Sequence, residues 1–271
     1  MTLFVADLRK LFRRPASLIT LGLLIGLMAL IFLAIGATAR QTAAASQGGA
    51  AALLLVTFPG AYTFIVSFIL GLGGLFAVIY GAAIEGSEWT WGTLKAAVAR
   101  GESRSRYQLS LFAAIALMIG VGLLVAFAVG VGVAYIGALL ASVSTSGLGD
   151  AKTLGTLPEL LGRGWLAVVE EGALGFAIAT LTRSQLAGIG AGIAFYFGEQ
   201  FASLFLPDIV KYMPFNAAQA VVTVSDSAFG GGGGAAAARL DANTAMLVVL
   251  AWLIGSLIVA SLFTERAEIS G

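Results

Sequence analysis

Three carboxylates stand inside apolar stretches of the sequence, the pair Glu170-Glu171 and, further on, Glu199. A charged side chain at the centre of a membrane helix costs about 2.5–3.5 kcal/mol on insertion scales, so such residues face protein or water. Two roles are open to them. They line a transport path that accepts a cationic substrate, or they hold neighbouring helices together as hydrogen-bonding groups. The remaining chemical inventory is short. The chain has no histidine and no cysteine, which excludes disulfides, thiolate or imidazole metal sites and histidine acid–base catalysis. Carboxylates, carbonyls and hydroxyls are left as ligands, a set suited to hard cations. We expect no catalytic residue and no metal site. No G-x-x-x-x-G-K-[ST] phosphate loop occurs, so ATP and Mg would have to be bound by another chain.

A second group of residues lies in segment 85–108, EGSEWTWGTLKAAVARGESRSRYQ. Gly92-Thr93 can start a short helix with Thr93 as its cap, and Gly101 can end it. Trp91, Leu94 and Val98 then fall near one face, flanked by Lys95 and Arg100. An exposed apolar stripe of this kind wants a partner surface. The alternative is an interfacial helix whose Trp89 and Trp91 rings anchor among lipid headgroups.

The elements that must position these residues are membrane spans. Hydrophobic residues make up 59% of the 271 residues and charged ones 11%, with a mean hydropathy of +0.98. A soluble domain carries about 25% charged residues. Six apolar runs, 17–37, 58–84, 109–140, 160–181, 186–206 and 245–263, approach or exceed the roughly 20 residues that cross a bilayer as a helix. Backbone groups in lipid must be satisfied internally, so the expectation is an all-α polytopic protein with six transmembrane helices. Before them, residues 1–16 read as a basic amphipathic helix at the membrane surface. Phe4, Leu8, Leu11 and Phe12 form its apolar side, and Asp7, Lys10, Arg13 and Arg14 mostly the other. Pro15 lets the chain bend.

Charge sets the orientation. With the N-terminus in the cytoplasm, the cytoplasmic segments hold ten of the fifteen Lys and Arg residues. Both termini are then cytoplasmic, in a prokaryotic inner membrane. The net charge of +1 argues against nucleic acid as a partner. The connections differ. Segment 41–52 is small and polar, 142–156 is Ser/Gly-rich, and 182–185 is a tight hairpin. Segment 207–244 is the longest outside stretch and contains the flexible run Gly230 to Gly234. Gly122, Ala126, Gly130, Ala134 and Ala138, and likewise Gly188 and Gly192, form ladders that allow close helix approach, within the chain or between subunits.

The order Glu88, Trp89, Trp91, Gly92-Thr93-Leu94 and Ser103-Arg104 between the second and third spans resembles the cytoplasmic loop of type-2 ABC transporter permeases. The amphipathic start, the six spans, the hairpin Leu181-Thr-Arg-Ser184 and the segment Tyr212-Met-Pro-Phe-Asn216 fit that layout as well, so the resemblance covers nearly the whole chain. It implies one permease domain over 1–271, divided as 1–16, 17–84, 85–108, 109–206, 207–244 and 245–271. It implies a connecting helix at the N-terminus. It also implies a coupling helix, with Glu88, Trp89, Trp91, Gly92, Thr93, Leu94, Lys95, Val98 and Arg104 serving contact with a separate cytoplasmic ATPase subunit. A second permease copy or a paralogue would complete the transport path, and the direction would be export. Two other functions compete: a proton-coupled secondary transporter using the embedded glutamates, and a membrane scaffold recruiting a cytoplasmic protein through the loop.

Overall fold

The computed structural model describes residues 3–43, 47–222 and 240–267. No strand occurs among the described residues. The helices are α1 Leu3–Phe12, α2 Pro15–Ala43, α3 Gln47–Val56, α4 Gly60–Phe68, α5 Gly74–Thr90, α6 Thr93–Ala99, α7 Arg104–Ala141, α8 Ala151–Thr182, α9 Gln185–Ala202, α10 Pro207–Val210, α11 Pro214–Ala220 and α12 Ala242–Arg266. A single π-helical turn, Ile69–Gly73, joins α4 to α5. Among the described residues, five helices are long and apolar enough to cross a membrane: Pro15–Thr38, Gly60–Thr90, Arg104–Ala141, Ala151–Thr182 and Ala242–Arg266. The chain is a membrane-embedded helical protein.

Several boundaries differ from the sequence reading, each for a physical reason. The second span runs on to Thr90, so Glu85 and Glu88 belong to a helix and not to a loop. Their side chains are satisfied by neighbours, which removes the cost that would otherwise end the helix there. The third span begins at Arg104 and the fourth at Ala151; for the fourth, the Asp150 cap starts the helix before its apolar run does. Within segment 41–52, α2 extends through Ala43 and α3 starts at Gln47. The expected run 186–206 is α9, which stops at Ala202 before Pro207 opens α10. It is not among the five. The run Gly230 to Gly234 lies outside the described residues.

Caps set the ends of the long helices. Asp150 accepts from the Thr153 amide at 2.9 Å and its hydroxyl at 2.6 Å, opening α8. Asp241 does the same for α12 through the amides of Asn243 and Thr244. These bonds favour the charged form and hold both carboxyls below their usual range. The 182–185 hairpin turns as expected: Arg183 adopts φ 52°, and Ser184 accepts from the Ala187 amide to start α9.

Helix α8 is the centre. Of its most apolar stretch 78% is buried, against 17% for α2 and for α12. It packs most extensively on α5, and glycine makes that approach possible. A Cβ on Gly81 would collide with the backbone carbonyl of Gly172. The α7 ladder packs within the chain, with Ala126, Ala134 and Ala138 fully buried and Gly130 against Met28 and Ile65. Gly188 and Gly192 likewise face Ala179 and Val78. Gly81→Val is expected to force α5 and α8 apart and lower the melting temperature in detergent, by about 1–3 kcal/mol of overpacking. Gly190→Ala, where the added carbon meets nothing within 4 Å, should leave it unchanged; equal melting of the two proteins would refute this packing.

Candidate functional site

The residues singled out in segment 85–108 do gather, but around a buried carboxylate. Glu88 is 1% exposed. Its Oε1 accepts from Lys10 Nζ at 2.5 Å and Arg14 Nη2 at 2.8 Å. Its Oε2 accepts from Thr93 Oγ1 and Tyr107 OH, both at 2.5 Å. One side chain thus ties the C-terminal end of α1 and the turn after it to α5, α6 and α7. Arg14 also donates to Ser87 Oγ at 2.5 Å. Three residues earlier on the same helix, Glu85 accepts from Trp89 Nε1 at 2.8 Å, Gln108 Nε2 at 2.9 Å and Thr180 Oγ1 at 3.0 Å. It joins the foot of α5 to α7 and to the end of α8. Ion pairing and full donor sets are what allow carboxylates to be buried at all.

This arrangement corrects the expected docking stripe. Leu94 is 1% exposed and packs with Ala97 and Tyr107, against Leu3, Trp89 and Val98. It faces α1 and α7 because their apolar side chains close over it. Thr93 does not cap α6 with its side chain; Gly92 occupies the N-cap position at φ 67° and the Thr93 hydroxyl serves Glu88. Arg104 turns to α12, where Nη1 donates to the carbonyls of Thr264 at 3.3 Å, Glu265 at 2.9 Å and Ala267 at 2.8 Å. The last carbonyls of a helix lack internal partners, and a cation there is doubly favourable. What remains outward is Trp91, 65% exposed with the Arg14 guanidinium 5.0 Å from its ring centroid, together with exposed Lys95 and Arg100.

Helix α1 also differs from the simple amphipathic reading. Leu11 is fully buried, Phe4 and Leu8 are half-buried, and Phe12 is 54% exposed. Asp7 is buried on the packed side, accepting from Ser110 Oγ at 2.7 Å. Burial pushes its carboxyl above the ordinary range, opposed by the Ser110 bond and by Lys10. No local pattern announces the Asp7–Ser110, Glu88–Tyr107 or Glu85–Thr180 pairs, since their partners are 19 to 103 residues apart.

The three embedded glutamates are all shielded, at 0%, 1% and 5% exposure for Glu170, Glu171 and Glu199. Their surroundings differ. Glu199 caps α11: it accepts from the amides of Phe215 at 3.3 Å and Asn216 at 2.6 Å, and from Asn216 Nδ2 at 2.8 Å. Both oxygens of Glu170 and Oε2 of Glu171 have no hydrogen-bond partner among the described residues. The Glu171 carboxyl lies over Gly74, the residue after the π-helical turn, where any Cβ would strike it. Among the described residues, no group of three or more His, Cys, Asp or Glu is placed to hold a metal ion. Compared with protein families and with curated proteins, the chain matches none.

Glu88→Ala should lower stability by about 3 kcal/mol, because it leaves Lys10 and Arg14 facing each other over a buried gap. Limited proteolysis should then release α1 first; an unchanged digestion pattern would rule out the junction. The raised Asp7 carboxyl predicts a pH effect with a definite sign. Its packing contribution is present in acid and fades as pH rises through its folded value. Asp7→Asn is expected to flatten that slope in thermal melts from about pH 4, the ordinary aspartate value, upward.

Proposed function

We propose that the chain is the membrane-spanning permease subunit of an ATP-driven exporter of the type-2 ABC class. It would work with a separate cytoplasmic ATPase subunit that binds ATP and Mg, and with a second permease copy or a paralogue. In this reading α9 is a sixth span and both termini are cytoplasmic, in a prokaryotic inner membrane. Helix α1 acts as the connecting helix and α6 as the coupling helix.

The observation that carries the reading is the Glu88 junction. A short helix outside the spans, preceded by an exposed tryptophan at the end of α5, is bolted through one carboxylate to α1, α5 and α7. A push on α6 is therefore delivered to two spanning helices and, through Glu85, to α8. A headgroup anchor needs no such wiring. The docking face is Trp91 with Lys95 and Arg100, and Leu94 supports it from behind.

Trp91→Ala is expected to insert and melt as the parent does, since the ring is mostly exposed. ATPase affinity should fall about 30-fold, the equivalent of about 2 kcal/mol for a buried aromatic anchor. Co-purification with the ATPase measures this; undiminished binding removes Trp91 from the interface. Reporter fusions near Gln47 and Gly232 should read outside and one near Ser103 inside. A cytoplasmic signal at Gly232 overturns the last two spans.

The unpartnered oxygens of Glu170 and Glu171 favour a second reading, a proton-coupled transporter. Glu170→Gln and Glu171→Gln discriminate. Substrate movement that persists in both variants and needs an ATPase supports the exporter, while movement that is lost in either and runs without one supports coupling through the acids.

A further inference from the structure

A groove opens between α2, the π-helical turn, α5, α7 and α8, with about 840 Å³ of space counting the open region in front of it. Leu21, Phe76, Met118 and Val168 are among its walls, and no charged residue lines it. Three polar side chains, Ser17, Thr20 and Tyr80, do line it, but each is engaged within the protein. Ser17 Oγ donates to the Leu11 carbonyl at 2.9 Å and takes the Tyr80 hydroxyl at 2.9 Å. Thr20 Oγ1 donates to the Ala16 carbonyl at 2.8 Å. The walls thus present dispersion contacts and a surface that repays hydrocarbon, and they offer nothing to a charged cargo.

One end of the groove is different. Phe12, the last residue of α1, forms part of the lining, and the exposed Arg13 follows it. Arg14 is committed to Ser87 and Glu88. Lys10 is likewise paired with Glu88, and Arg13 adds an exposed cation beside them, so Lys10, Arg13 and Arg14 outnumber the acids Asp7 and Glu88 and leave a positive local field. An apolar slot inside the bilayer, with an excess of cations at its mouth, matches one kind of molecule. We propose that the groove is a binding site for a single anionic phospholipid, one acyl chain lying between α2 and α7 and the phosphodiester at Arg13. Basic pockets between membrane helices select anionic headgroups on electrostatic grounds. The inference rests on the membrane setting alone and not on an ATPase partner. It makes the lipid a filler between α2 and the bundle, beside the Glu88 junction.

The test uses the full chain in detergent with dioleoyl phosphatidylglycerol or dioleoyl phosphatidylcholine, read by native mass spectrometry and by melting temperature. We expect one retained phosphatidylglycerol and at least tenfold weaker retention of phosphatidylcholine. Arg13→Gln should erase that preference. Gly122→Leu should block the slot, because a carbon added at Gly122 meets only a Leu21 methyl at 3.8 Å and a longer side chain projects into free space. Its melting temperature without lipid should match the parent, and its retention of either lipid should fall at least tenfold. Should Gly122→Leu fail to fold, phosphatidylglycerol with a photoreactive acyl chain replaces it. Labelling of Leu21, Phe76 or Met118 in the parent protein supports the site. Equal retention of the two lipids by the parent overturns the proposal. So does full retention by folded Gly122→Leu, or labelling confined to outward residues such as Leu124 and Ile254.

Discussion

Burying the Glu88 carboxylate obliges donors to converge on it, and that convergence organises one end of the molecule. Lys10, Arg14, Thr93 and Tyr107 come from three different helices and from the turn after α1. None could leave without stranding a charge in a place closed to water. The consequence is mechanical: α1 and α6, which lie outside the long apolar helices, are not loose appendages. Leu94, enclosed by Leu3, Trp89 and Val98, completes the joint with apolar packing.

A second carboxylate extends the joint inward. Glu85 is bonded to Trp89, Gln108 and Thr180, so the end of α8 is coupled to the same foot of α5. Arg183, at the turn after α8, lies over the Trp89 ring at 5.4 Å and over Phe263 of α12 at 5.2 Å. Arg104 holds the final turn of α12. Through Glu85 and Glu88, α5 is thus hydrogen-bonded to α1, α6, α7 and α8 near one end of the spanning helices, so shifting it breaks bonds to all four.

Glu170 and Glu171 show the opposite economy. They are as deeply buried as Glu88, yet three of their oxygens have no partner among the described residues. A buried polar group without a partner is a standing cost to the fold, and such groups concentrate where function demands them. Glu199 had the same status in the sequence, but its oxygens accept from the amides that open α11.

Residue order was enough to establish the helical, membrane-embedded class, because runs of apolar residues with so few charges have only one way to satisfy their backbones in lipid. The helical start at α1, the short helix α6 and the turn at Arg183 were legible too, since glycine, proline and serine mark chain direction locally. The roles of side chains were not. Leu94 and Trp91 belong to one stripe in sequence, and only the packing of α1 and α7 decided that one is buried and the other outward. Three embedded glutamates looked equivalent until the fold brought the amides of Phe215 and Asn216 to one of them and nothing to the other two. Partners so distant along the chain leave no trace in local pattern, so the difference between a capped acid and an unpartnered one exists only in three dimensions.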